Sequence, residues 1–315
     1  MINIESIQTA YKILQSVVHK TPLLSSRTFN ETTGNEVYFK AENFQRIGAF
    51  KFRGAYNKIS SLTVEERKHG VIAHSSGNHG QGVALASKIF GIKSVVVMPH
   101  NSVKSKVEAT KGYGAEVVFC GLSTDDREKT TQELIDKYGY TRVHPYNDEK
   151  LIAGQGTVGL EIFQEIKELD YLFVPIGGGG LISGCAIAAK HLSPKTKVIG
   201  VETEGANDCY QSFRAKKLIR LQSVDTIADG MRTLSVGSLN FEIIMKHVDD
   251  VITIKDDDIY PMMKFFLERM KILVEPTGAV APAAVMKNVL GLKGKKICAV
   301  ISGGNVDPVF LKQLL

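Results

Sequence analysis

From Gly70 onward the chain alternates short apolar runs of strand length with longer runs of helical period. VIAHSS, KSVVVMP, AEVVFCG and TRVHPY read as four strands, separated by GVALASKIFG, SVKSKVEATKGYG and STDDREKTTQELIDKYG as helices. Gly91 and Gly139 close two of those helices, and Ser/Thr/Asp residues open the last one. The rhythm then resumes. LIAGQGTVGLEIFQEIK, GLISGCAIAAKHL, IYPMMKFFLERMK and GAVAPAAVMKNVLG have helical character, and DYLFVPIGG, KVIGVETEG, DDVITI and KKICAVISGG are strands. Strand–helix alternation of this kind leaves one economical solution, a mostly parallel sheet covered by helices, with ligands bound beyond the carboxyl ends of the strands. The expected class is α/β in two parts. Residues 67–147 form a smaller unit inserted into a larger one made of 1–66 and 148–315, with a cleft between them.

The segment Tyr171–Ala189 carries no charge and has the length of a membrane span. Pro175 and four consecutive glycines, Gly177, Gly178, Gly179 and Gly180, break it, so it reads as strand, loop and helix. The net charge of +6 comes without a basic tail or a Lys/Arg run, which argues against a nucleic-acid partner. MINIESIQTAYKIL has the pattern of an amphipathic helix and not of a secretory signal. The four cysteines (Cys120, Cys185, Cys209, Cys298) form no CxxC pair, which fits a reducing, cytoplasmic setting and argues against a zinc knuckle.

Several motifs could carry chemistry. The tetraglycine lies between a strand and a helix, where bare backbone N–H groups and the helix dipole suit a phosphate. It is neither a P-loop nor a GxGxxG dinucleotide motif, although Glu202 lies near the offset of a ribose-binding acid. Lys51, in GAFKFRG, is flanked by Phe50 and Phe52, a setting where desolvation can free a nucleophilic amine. Ser75, Ser76, Asn78 and His79 stand at a strand-to-helix turn suited to a carboxylate. Ser302 opens a glycine turn after the strand CAVI, and Glu202 and Asp208 offer hard oxygen ligands. Each motif alone also reads as an ordinary turn, cap or solvated surface.

Taken in order, the strings KAENFQRIGAFKFRGA, SSGNHGQG, AGQGT, PIGGGGLISG, TIADG, RMKILVEPTGA and ISGGNVD resemble the fold-type-II pyridoxal-phosphate enzymes, the tryptophan-synthase-β-like group. Within that group the resemblance is strongest to the serine racemases and short serine/threonine dehydratases. It spans residues 40–307 and implies a chain without the C-terminal regulatory domain of biosynthetic threonine dehydratases.

The resemblance implies roles for particular residues. Lys51 forms the Schiff base with pyridoxal 5'-phosphate and removes the substrate Cα proton. Gly177–Gly180 and Leu181 hold the phosphate, Asn78 bonds the cofactor's phenolic oxygen, Phe50 stacks on the ring, and Ser302 meets the ring nitrogen. Ser75, Ser76, Asn78 and His79 take the substrate carboxylate, and Arg127 reaches larger or acidic substrates. Ser76 is also the implied proton donor on the face opposite Lys51, a role that racemisation needs and elimination does not. Glu202, the carbonyl of Ala206, and Asp208 match a Mg²⁺ site (or Ca²⁺ or Mn²⁺). Gln81, Tyr113, Lys271 and Asn305 match a site for ATP or AMP as an effector.

The expectation is therefore a cytoplasmic homodimeric enzyme acting on small β-hydroxy amino acids. It would convert L-serine or L-threonine to a 2-oxo acid and ammonia, and L-serine to D-serine. The alternative within the class is a dedicated threonine dehydratase or threo-3-hydroxyaspartate ammonia-lyase without racemisation. A nicotinamide-dependent dehydrogenase would leave Lys51 without a role, and a metabolite sensor that kept the fold would be expected to lose Lys51.

Overall fold

The computed structural model describes residues 2–75, 77–312 and 314. The chain opens with α1 (Ile4–Leu14), β1 (Leu23–Ser25), α2 (Arg27–Thr33), β2 (Glu36–Ala41), α3 (Lys51–Ser60) and α4 (Val64–His69). There follow β3 (Val71–His74), α5 (Asn78–Phe90), β4 (Ser94–Pro99), α6 (Lys104–Gly112), β5 (Glu116–Cys120), α7 (Thr124–Tyr138) and β6 (Thr141–Arg142). Next come α8 (Glu149–Glu165), β7 (Tyr171–Pro175), α9 (Gly180–Leu192), β8 (Lys197–Thr203), α10 (Asp208–Ala215), α11 (Ser238–His247) and β9 (Asp250–Ile254). The last elements are α12 (Ile259–Phe265), α13 (Pro276–Met286), β10 (Lys296–Ile301) and α14 (Pro308–Leu311).

Two sheets organise the molecule. One runs β1-β2-β10-β7-β8-β9, parallel throughout except for the β1–β2 pair, and the other runs β5-β4-β3-β6, all parallel. This is the expected α/β class of parallel sheets covered by helices. The central strands are buried on both faces, as in β4 and β8, which explains why they read as continuous apolar runs and not as alternating ones. α7 begins with a reciprocal cap between Ser123 and Asp126 and ends at Gly139 with φ 73°. Among the described residues no helix is long and apolar enough to cross a membrane. Cys120, Cys185, Cys209 and Cys298 are all free and buried.

Several elements depart from the sequence expectation. β2 supplies a parallel partner for β10, pairing Tyr38 with Cys298, from a stretch whose strand character the pattern hid. TRVHPY pairs only at Thr141 and Arg142. Beyond them the His144 Nδ1 accepts from the backbone N–H groups of Tyr146 and Asn147 (3.3 and 2.9 Å) and bends the chain into a turn. α5 starts at Asn78 and not at Gly82. Its glycines are there for packing, since a Cβ at Gly82 would press on the backbone of Lys51 at 3.2 Å. The IYPMMKFFLERMK helix changes at Phe266 into a π-turn that ends in left-handed Lys271 (φ 60°).

α3, which begins with Lys51, is clamped between α5 and α8. A Cβ at Gly154 of α8 would lie 2.7 Å from the Arg53 carbonyl, so the small residues let these backbones touch. A buried charge network completes the clamp. Arg53 meets Glu42 through Nε and Nη2 (both 2.8 Å) and Glu161 through Nη1 and Nη2 (2.7 and 2.9 Å). Lys40 of β2 donates to Glu161 at 2.6 Å and to the Thr21 carbonyl at 2.7 Å. All four charged side chains are fully buried. Burial alone would raise the Glu42 carboxyl, but Arg53 and then Lys40 outweigh it and hold it below the usual carboxylate range.

Two cations balance two carboxylates here, so removing one carboxylate strands charge in the interior. Glu161→Leu is expected to cost about 3–5 kcal/mol of unfolding free energy in denaturant titrations. A variant within about 1 kcal/mol of the parent would show that the network does not carry the clamp.

Candidate active site

A cavity of about 300 Å³ opens where the carboxyl ends of β3, β7 and β10 give way to loops and helix starts. Its lining includes Phe50, Lys51, Ser75, Asn78, His79, Arg127, Gly177–Gly180, Leu181 and Ser302, all read from the sequence as site residues. Ser76 lies outside the described residues.

Lys51 is placed by the clamp on α3. Its Nζ donates to the Pro145 carbonyl at 2.8 Å and lies 5.3 Å from the centre of the Phe50 ring. Among the described residues no carboxylate is paired with it, and burial pushes the amine down to about 8. A far larger share of the side chain is then free base near neutral pH than for an ordinary lysine, and that is the form that can bond to a carbonyl carbon or take a proton.

The tetraglycine forms a loop leading into α9. Gly179 has φ 92°, a left-handed conformation that favours glycine, and a Cβ at Gly178 would overlap the Tyr146 ring. The Gly178 carbonyl accepts from the Gly237 N–H at 3.1 Å and the Asn240 side-chain amide at 2.9 Å. Those bonds turn the acceptor side of the loop back into the protein. The first N–H groups of the 13-residue α9 have no partner within the helix and stand at the cavity wall. The Ser302 hydroxyl is buried at the end of β10 and has no hydrogen-bond partner among the described residues. An unpaired buried hydroxyl is costly, and a ring nitrogen in the cavity would satisfy it. A desolvated amine, a helix start with open N–H groups and an unpartnered hydroxyl together fit pyridoxal phosphate. Lys51 would hold its carbonyl carbon, Gly177–Gly180 and Leu181 its phosphate, and Ser302 its ring nitrogen.

At the opposite wall Ser75 Oγ accepts from the Gly77 N–H at 3.2 Å. His79 donates through Nε2 to the Val143 carbonyl at 2.9 Å, which leaves Nδ1 bare and buried. Burial, and then the nearby Lys51 charge, push this imidazole well below its usual value, so it stays neutral. What His79 offers an anion is its backbone N–H in the first turn of α5. Arg127, in the first turns of α7, also reaches the cavity, with Nε donating to the Ser123 carbonyl at 3.4 Å. Beside it Glu128 lies 3.1 Å from His74 Nε2 and pairs with Arg142. The neighbouring His74 ring, followed by Arg142, holds Glu128 down to about 2.

Among the lining residues that carried no assigned role in the sequence analysis, four stand out by their surroundings. Gln155 is fully buried, and among the described residues neither its amide oxygen nor its nitrogen has a partner. Glu275 is buried, accepts from Asn78 Nδ2 at 2.7 Å, and is raised to about 7 by burial and then by Asp229. Lys106 of α6 and Asp229 form an ion pair joining the two sides of the cavity. These residues sit inside the strings AGQGT, RMKILVEPTGA and TIADG, or on an unremarkable helix, where spacing alone points to no function.

The implied metal residues stand outside the cavity lining. Glu202, on β8, accepts from the backbone N–H groups of Cys209 and Tyr210 (3.1 and 2.7 Å). Both carboxylate oxygens of Asp208 are buried and unpartnered, and Ala206 is fixed by a bridge to Thr203. Burial, and then Asp208, drive Glu202 well above the usual carboxylate range. Two buried carboxyls, of which Asp208 has both oxygens unpartnered among the described residues, and a backbone carbonyl two residues before it are a donor set of the hard-cation kind. The four implied nucleotide residues are not joined in the same way. Asn305 is bonded to Asn78 at 2.8 Å, whereas among the described residues no hydrogen bond links Gln81, Tyr113 and Lys271 to one another. Gln81 is buried, and the Lys271 amine turns back to the Glu268 carbonyl.

Comparison with known proteins agrees with this geometry. The profile of the family described as pyridoxal-phosphate dependent enzyme matches residues 14–303. The L-threo-3-hydroxyaspartate ammonia-lyase of Saccharomyces cerevisiae is 46% identical over 294 residues, covering 93% of this chain and 90% of that protein. The L-threonine ammonia-lyase of Thermotoga maritima is 44% identical over 315 residues, covering 100% of this chain and 78% of that one. Among solved structures, maize serine racemase superposes with a TM-score of 0.96 at 41% identity, covering 99% of this chain and 96% of that one.

The Lys51 environment can be checked directly. In cofactor-free protein, acylation of Lys51 by a small anhydride, followed by peptide mass spectrometry, is expected to reach half its maximal rate near pH 8. A midpoint above about 10, the value of an ordinary lysine, would contradict the desolvated setting.

Proposed function

The chain belongs to the family of pyridoxal-phosphate-dependent enzymes, and on that premise we propose that it acts on small β-hydroxy amino acids by elimination and racemisation. L-serine or L-threonine gives a 2-oxo acid and ammonia, and L-serine also gives D-serine. The observation that carries this reading is the desolvated Lys51 amine, opening on one cavity with the α9 helix start and the unpaired Ser302 hydroxyl.

When bound, pyridoxal phosphate supplies an electron sink that accepts the electron pair of a broken bond at the substrate Cα. The protein supplies the rest. The helix starts of α5 and α9 place two anionic groups, the substrate carboxylate and a phosphate, at opposite walls of the cavity. Lys51, with its lowered basicity, takes the Cα proton and carries it as ammonium against the Pro145 carbonyl. The β-hydroxyl leaves as water, taking the proton that Lys51 carries, and the enamine that remains hydrolyses in solution to the 2-oxo acid and ammonia. In racemisation Ser76 returns a proton to Cα from the face opposite Lys51. Ser302 is a neutral hydroxyl and not a carboxylate, so it does not hold a positive charge on the ring nitrogen. That favours outcomes in which a leaving group carries off the electron pair. Arg127 at the cavity wall favours substrates with a second carboxylate, in keeping with the hydroxyaspartate activity named for the yeast relative.

In this reading residues 67–147 close as a small mobile domain on 1–66 and 148–315, with Lys106 and Asp229 meeting across the cavity. Mg²⁺ sits at Glu202, the Ala206 carbonyl and Asp208, supported by the unpartnered Asp208 oxygens. The kinship supports a homodimer, and four free thiols suit the cytoplasm. An ATP or AMP effector near Gln81, Tyr113, Lys271 and Asn305 rests on the resemblance alone.

Cofactor-loaded protein incubated with L-serine and Mg²⁺ is expected to yield both D-serine, by chiral chromatography, and pyruvate. Pyruvate without D-serine would establish the alternative, a dedicated ammonia-lyase, and L-threonine and threo-3-hydroxyaspartate would then be compared as substrates. Lys51→Ala is expected to lose the visible cofactor band and turnover together, and retained elimination would remove Lys51 from its role. At a Mg²⁺ concentration 100 times the dissociation constant, the metal should stabilise the parent by about 2.7 kcal/mol. Asp208→Ala should abolish that gain, and a parent indifferent to chelator and metal would discard the site.

A further inference from the structure

One hydrogen-bonded chain in the cavity wall has its direction imposed at both ends. Ile47, four residues before Lys51, is a buried β-branched residue held at φ 60° and ψ 7°, a strained conformation for its type. Its carbonyl can only accept, and it takes a bond from Asn305 Nδ2 at 2.6 Å. Asn305 therefore presents its NH₂ group, which also donates to Asn78 Oδ1 at 2.8 Å. With its oxygen engaged, Asn78 must turn its own NH₂ toward Glu275, where Nδ2 donates to Oε1 at 2.7 Å. Glu275 accepts there in either protonation state. Reversing any one amide would set N–H against N–H or oxygen against oxygen. Three further contacts seat the chain: Gly304 N–H to the Gly48 carbonyl (2.9 Å), Phe50 N–H to the Ser302 carbonyl (3.1 Å), and Glu275 N–H to the Gly303 carbonyl (3.1 Å).

We propose that Asn305 and Glu275 are positioning residues that lock the Asn78 amide as a hydrogen-bond donor into the cofactor cavity. Each amide has two N–H bonds. Asn305 spends both on Ile47 and Asn78, whereas Asn78 spends one on Glu275 and keeps one for the ligand. The cavity therefore offers a donor, and never an acceptor, at this point, which suits an oxyanion on the aromatic ring. The same chain ties the strained turn before Lys51 to the first residue of α5. The amine and the donor that face the cofactor are thus held to one another from opposite sides of the cavity. This inference rests on the pyridoxal-phosphate reading above and adds to it the residues that orient Asn78.

The test is titration of cofactor-stripped protein with pyridoxal phosphate, reading the dissociation constant and the position of the visible band. Asn305→Asp keeps the shape of the side chain but, as a carboxylate, has no N–H to give. It is expected to weaken cofactor binding about tenfold, the worth of one well-placed hydrogen bond, and to shift the band in the same sense as Asn78→Ala. In the double variant Asn305→Asp/Asn78→Ala, binding should be no weaker than in Asn78→Ala alone, because Asn305 acts through Asn78. Glu275→Gln, which still offers an acceptor oxygen to Asn78, should stay within about twofold of the parent. The proposal is overturned if Asn305→Asp binds as the parent does while Asn305→Ala does not, since that pattern means packing alone. It is overturned equally if the losses in the double variant multiply. A parent that takes up no pyridoxal phosphate would overturn the reading of the site itself, an outcome separate from either of these.

Discussion

The buried cluster of Arg53, Glu42, Glu161 and Lys40 is the constraint on which the arrangement of this molecule depends. Four charges shielded from bulk solvent are tolerable only if each is paired and hydrogen-bonded, and the geometry that pairs them is demanding. Arg53 needs carboxylates on two sides of its planar fork, and they come from a turn after β2 and from α8. Lys40 draws β2 into the same arrangement. Once those elements are fixed, α3 has no freedom to slide. Lys51 lies two residues from Arg53, so the reactive amine inherits that rigidity. The charge network itself contributes no chemistry. It fixes where the chemistry can occur.

The electrostatics of the cavity follow from a contrast with that cluster. Arg53 is buried with partners and is held firmly charged, whereas Lys51 is buried without a carboxylate and is pushed toward its neutral form. Two cationic side chains two residues apart therefore behave in opposite ways. The same contrast separates Glu128, held low by His74 and Arg142, from Glu275, raised by burial and Asp229. The fixed partial charges of the α5 and α9 starts add anion-binding positions that do not depend on pH.

Much of this was legible before any coordinates. Alternation of apolar strands with helical segments specifies parallel, covered sheets, because no other layering buries such runs. The tetraglycine and the apolar-flanked Lys51 mark sites where backbone approach and desolvation matter. What escaped was long-range. In EVYFKA, the residues of β2, strand character is masked by Lys40, a charge that only a partner 121 residues away makes tolerable. Asn305 stands 227 residues from Asn78, and Glu275 stands 197 from it. TRVHPY failed as a full strand because the His144 ring captures backbone N–H groups that a longer strand would have used.

By itself the sequence determined the local chemistry and the layer architecture: which residues can be nucleophile, phosphate cup and turn, and that the strands must be buried and parallel. Those properties follow from side-chain type and from periodicity over a few residues. Only the tertiary structure decided the protonation of Lys51, the neutrality of His79, the orientation of the Asn78 amide and the involvement of Gln155 and Glu275. Each depends on burial and on partners far away in the chain, and the cost of burying a polar group is set by the neighbours that meet it there.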